Sequence, residues 1–81
     1  VPDQAITSEQ IRAARMLLRW EQKHLAERSK VSLPSIKRLE TQPGPLAAQD
    51  RTIAAIVSAL VAAGVSFDLT DGSGVGVRLR D

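Results

Sequence analysis

The sequence predicts a mostly helical domain, about four short helices followed by a C-terminal β-hairpin, and three observations carry that reading. Apolar residues recur at spacings of three and four as far as about residue 64, the period of a helix. Beyond it they alternate, Val65, Phe67 and Leu69 and then Val75, Val77 and Leu79, which is the period of a strand. Residue types that start and stop helices stand between the apolar stripes. The 81 residues suffice for one domain, 1–81, all-α in class, with a helical core over about 8–64 and the hairpin over about 65–80.

Thr7-Ser8-Glu9-Gln10 is a capping box, and Ile6 and Ile11 stand where a hydrophobic staple places them. A first helix therefore starts near Ser8 and runs to about Arg19, with Ile11, Ala14, Leu17 and Leu18 on one stripe. A second, Gln22 to Ser29, buries Leu25 and Ala26 and exposes Lys23, Glu27 and Arg28. After Lys30-Val31, Ser32 is a suitable N-cap for a third helix whose Ile36 and Leu39 point inward. Pro43, Gly44 and Pro45 end it. Asp50 can cap a fourth helix with Ile53, Ile56, Val57 and Leu60 on its stripe, and Gly64 suits its C′ position. Asp71-Gly72-Ser73-Gly74 is turn chemistry between the two strands. A lone hairpin is marginal, so it must pack on the fourth helix or pair with a second copy.

Composition narrows the chemistry. Eleven Lys and Arg oppose nine Asp and Glu, a net charge of +2 that permits nucleic acid without demanding it. The absence of cysteine and the single histidine argue against disulfides, thiolate metal sites and multi-His sites. His24, on the polar side of the second helix, reads as a surface residue, and no metal or cofactor is expected. No apolar run approaches the roughly 20 residues needed to span a bilayer, and the start VPDQAITSEQ has no leader pattern, so a soluble, unsecreted chain without membrane contact is expected. No paired carboxylates, nucleophile with a base, or metal cluster points to catalysis. Gly72-Ser73-Gly74-Val75-Gly76 leads into a strand rather than a helix, so it reads as a turn and not a phosphate loop. Trp20 and Phe67, the two aromatics, read as core.

Two short helices joined by a few residues, the second capped by Ser and amphipathic, form the helix-turn-helix pattern, whose second helix lies in the DNA major groove. The run from Leu17 to Ser32, LLRWEQKHLAERSKVS, followed by Ile36 and Arg38-Leu39-Glu40, resembles the Cro/repressor (Xre) class of bacterial and phage regulators. The resemblance covers about Ile11 to Thr41 and rests on Gln22 opening the second helix, Leu25-Ala26, Val31-Ser32 in the turn and the terminal Glu40. It implies a lambda repressor-like bundle, a phosphate clamp at Gln22, base reading by Leu33, Pro34, Lys37 and Arg38, and Ser32 and Ser35 near phosphate. It also implies an ion pair between Arg15 and Glu40. Helical geometry agrees, because 33, 34, 37, 38 and 41 lie opposite the inward pair 36 and 39. Two positions depart from the pattern. Glu21 stands where the family has a Ser or Thr cap, and Lys30 where it has the turn glycine.

Lys23, Arg28, Lys30, Lys37 and Arg38 cluster around this helix pair and read as DNA-facing, with Thr41 on the same face as Lys37. Arg12, Arg19, Arg78 and Arg80 stay open between contact and solvated surface. The expectation is a sequence-specific double-stranded DNA-binding transcriptional regulator, cytoplasmic in a bacterium and associated with its nucleoid, homodimeric through the fourth helix and hairpin, with RNA polymerase as a further contact. The rival is an adaptor of the same fold that works through protein partners such as polymerase, a phage protein or a toxin.

Overall fold

The order of elements in the computed structural model, which describes residues 6–68 and 76–79, is α1 (Ser8–Leu18), α2 (Gln22–Ser29), α3 (Leu33–Thr41), α4 (Asp50–Ala62), β1 (Val65–Asp68) and β2 (Gly76–Leu79). The described residues thus form four helices and one antiparallel hairpin. The expected turn at 71–74, with Leu69, Val75 and Arg80, lies outside them.

Local chemistry sets the start of α1. The Thr7 hydroxyl accepts from the Gln10 amide at 3.1 Å, and Gln10 Oε1 accepts the Thr7 N–H at 2.9 Å, so two amides that the first turn leaves unpaired are satisfied reciprocally. Ile6 and Ile11 are both buried beside this box. The helix ends at Leu18 and not Arg19, which takes the left-handed conformation at φ 58° while the Trp20 amide donates back to the Arg15 carbonyl at 2.9 Å. Leu17 also departs from expectation, being 40% exposed. The core stripe runs through Ile11, Ala14 and Leu18, and Leu17 lies on its flank.

The αL turn after α2 falls at Lys30, φ 64°. Ser29 braces it: its buried hydroxyl donates to the Leu25 carbonyl at 2.7 Å and accepts the Val31 amide at 3.2 Å. Ser32 caps α3, accepting from the Ser35 amide at 3.3 Å. At the head of α4 the N-cap is Gln49 rather than Asp50. Gln49 is extended and makes no side-chain cap bond, while Asp50 sits inside the first turn, where its charge still favours the positive end of the helix. Gly64 follows the cap residue Ala63 with φ +109°.

The core gathers Ile11 and Ala14 of α1, Leu25 of α2, Ile36 and Leu39 of α3, Ile56 and Leu60 of α4, and Val65 of β1, with Ile6 and Leu46 from the connections. Ala26 is half-buried at its edge rather than enclosed. In the hairpin Val65 opposes Leu79 and Phe67 opposes Val77, which places the apolar residues on one face and Ser66 with Arg78 on the other. That apolar face does not rest on α4 alone: β1 touches α4 and α1, and β2 packs against α1.

Candidate nucleic-acid interface

The helix α3 is oriented by what it buries. Ile36 and Leu39 are sunk in the core, and Glu40, one residue on, is buried with them. The opposite side is left exposed at Pro34, Lys37, Arg38 and Thr41, with Leu33 and Ser35 half-buried at its margin. With Ser32 as N-cap, Leu33 and Pro34 are the first two helical residues. The N–H that proline lacks is therefore one the helix does not use, and its fixed φ stiffens the entry.

A buried carboxylate needs partners, and Glu40 has three donors. Arg15 approaches it bidentately, Nε at 2.8 Å and Nη2 at 2.7 Å, and Gln22 Nε2 donates to Oε1 at 3.0 Å. Arg15 Nη1 also donates to the Trp20 carbonyl at 3.0 Å, at the α1–α2 joint. The side chains are 15% and 4% exposed, so the pair expected between α1 and the end of α3 is present and largely desolvated. One carboxylate thereby ties α1, α2 and α3 together. Gln22, expected to clamp a phosphate, has its amide nitrogen also held by Glu40 at the head of α2. A primary amide has two N–H bonds, so the second remains for an anion at that helix end.

Several other polar residues of α2 and α3 make contacts within the fold. Lys23, at the head of α2, has its Nζ 3.7 Å from the exposed Glu21 carboxylate, so its charge is partly met on its own helix. Arg28 lies with its guanidinium 5.2 Å from the centre of the Trp20 ring, a cation–π contact that assigns it to α2 packing rather than to the α3 face. Trp20 is accordingly half-buried, with Arg28 as its cover. His24 is more than a surface residue: its Nδ1 accepts the Glu21 N–H at 2.9 Å and closes the start of α2. The Thr41 hydroxyl turns back to the Arg38 carbonyl at 2.7 Å, and the Ser32 and Ser35 hydroxyls meet at 2.8 Å.

Lys30, Ser32, Ser35 and Arg38 share an open cleft of about 500 Å³ with Val31, Ala47, Ala48, Gln49 and Thr52. Among the described residues, two cations and no carboxylate line it, which suits an anion. Gln49 and Thr52 carry no periodic or motif signal that would have marked them. They reach the cleft because the connection before α4 is pinned elsewhere. The Ser8 amide donates to the Gly44 carbonyl at 2.9 Å and the Leu46 amide to the Ile6 carbonyl at 3.0 Å, around a bridge between Thr7 and Pro45. Glu9 Oε1 accepts the Gly44 amide at 3.1 Å. Its carboxyl is held below the usual range, first by its own backbone amide, then by that of Gly44, with Arg12 adding a smaller pull.

No protein-family model matches the chain, and no curated protein matches it. Among the described residues, no helix is long and apolar enough to cross a membrane.

Proposed function

We propose that the protein is a sequence-specific double-stranded DNA-binding regulator, a lambda repressor-like helix-turn-helix domain of the Cro/repressor kind, in which α2 and α3 are the pair and α3 enters the major groove. The observation that carries this reading is the outward face of α3, Pro34, Lys37, Arg38 and Thr41, on a helix whose opposite side is locked by Arg15, Gln22 and Glu40. Base reading needs side chains held in register on a rigid element, and this arrangement supplies it. Leu33 and Pro34 offer apolar surface to thymine methyl groups, and Lys37 can donate to guanine O6 or N7. Lys30 and Arg38 in the cleft, with Gln22 at the head of α2, suit backbone phosphates.

Regulation would follow from occupancy of an operator in a bacterial cytoplasm rather than from catalysis. Two copies on a palindrome are the expected form. From Thr52 to Phe67 no residue is charged, and the outer side of α4 at Ala54, Ser58 and Val61 is exposed, a surface that a second copy can meet without repulsion. The test is selection of bound sites from a random duplex library. A defined motif is expected, with Lys37→Ala or Leu33→Ala relaxing preference by about 1 to 3 kcal/mol at one or two base pairs. Gln22→Ala should weaken every sequence alike. Recovery of the unchanged motif by both α3 variants would overturn the assignment of α3 as the reader.

A further inference from the structure

We propose that the outward face of α1, with Met16 and Leu17 set between Arg12 and Arg19, docks an acidic amphipathic helix of a partner protein. This surface is not the α3 face, and the proposal stands independently of DNA binding.

Met16 is 71% exposed and Leu17 40%, adjacent large apolar side chains on a helix whose core stripe is Ile11, Ala14 and Leu18. Arg12, one turn before Met16 on the same face, and Arg19, three residues after it, are both exposed. The same pairing recurs on β2, which packs against α1: Leu79 is 41% exposed and Arg78 beside it is exposed. A methionine flanked by cations is an adaptable apolar contact within a positive frame. Among the described residues of α1, the acid on this face is Glu9, at its far end, 3.8 Å from Arg12 Nη2 and already accepting from the Gly44 amide, and the exposed Glu21 beyond Arg19 lies 3.7 Å from Lys23 Nζ. Arg19 has no ion pair among the described residues.

Charge selects the occupant. If a second copy laid its α1 antiparallel across Met16, Arg12 would come about one residue from the partner's Arg19, and a parallel copy would set each arginine against itself. Like charges disfavour both. An anionic membrane is a poor match as well, because surface recognition of that kind draws on about four to eight clustered cations and large inserted apolar side chains. A helix carrying Leu or Met at its centre and carboxylates a turn to either side meets the apolar centre and both arginines at once.

The test is titration of the isotope-labelled protein with two synthetic helical peptides, one with Leu flanked by Glu at that spacing and one with Lys in place of each Glu, followed by amide shifts. The acidic peptide should move Arg12, Met16, Leu17 and Arg19, with affinity lowered roughly tenfold in Met16→Ser and again in Arg12→Glu/Arg19→Glu. Lys37→Ala should leave it unchanged. Equal binding of the Lys peptide, no loss in the α1 variants, or shifts centred on α3 would overturn the proposal. So would binding of phosphatidylserine vesicles that Met16→Ser abolishes, or self-association through Met16 in sedimentation.

Discussion

Replacing Glu40 by Gln changes little in shape and removes the charge on which three helices converge. The carboxylate is 4% exposed and accepts from Arg15 twice and from Gln22 once, whereas an amide offers one acceptor oxygen and presents its own N–H bonds to donors. Arg15 then keeps a guanidinium that is 15% exposed and bonded to the Trp20 carbonyl but facing no anion. Breaking one side of a buried pair costs about 3 to 5 kcal/mol. The residual exposure of Arg15 and its carbonyl partner reduce this to about 2 to 3 kcal/mol, which in a domain of this size lowers Tm by roughly 10 to 20 °C. Urea unfolding and calorimetry of Glu40→Gln, Glu40→Leu, Arg15→Met and the double variant Arg15→Met/Glu40→Leu measure it. The double variant should recover much of the loss, since apolar replacement of a whole buried pair is often neutral. If Glu40→Gln melts with the parent, or the losses of Arg15→Met and Glu40→Leu simply add in the double variant Arg15→Met/Glu40→Leu, the pair does not hold α3.

Three further outcomes follow from particular contacts. Lys30→Gly should stabilise the fold by about 1 kcal/mol, because φ 64° costs an L-residue about that much, while weakening phosphate affinity; thermal melts and duplex titrations separate the two effects. His24→Ala should cost about 1 kcal/mol, the size of a lost helix cap, and raise amide exchange at the head of α2 without touching α3. The Glu9 carboxyl is held low in the folded state, so its contribution is present above the ordinary carboxylate value of about 4.3 and is lost as pH falls through the lower folded value. Glu9→Gln should therefore flatten the acid limb of stability below about pH 4.3, read by urea unfolding across that range.

What the sequence made legible was chemistry that acts over a few residues. The Thr7–Gln10 box, the Ser32 cap and the apolar stripes of α3 and α4 each follow from one turn of helix, and the structure has them where the residues place them. The ion pair of Arg15 with Glu40 was reachable only through family resemblance, since nothing local joins residues so far apart. Periodicity misread Leu17, because a run of consecutive leucines fits two stripes and only packing selects one. The capture of Gln22 by Glu40 and the arrival of Gln49 and Thr52 beside Lys30 depend on how separate segments meet. So does the seating of β2 on α1, which the choice between α4 and a second copy had not included.

The contacts of Glu40 also limit how far α2 and α3 can be moved as a unit. A fragment beginning at Glu21 would keep both helices, the Ser29 and Ser32 bonds of the turn and every exposed residue of α3. It would leave Arg15 behind, and with it the two shortest bonds to a carboxylate that α3 buries against α1. Helices of eight and nine residues do not persist alone in water. Transplanting the exposed face of α3 onto another scaffold therefore requires a guanidinium delivered from a third helix at the same height. Swapping the exposed residues of α3 within the intact domain needs no such support, and under the proposed function that is the route by which a DNA preference would be rewritten.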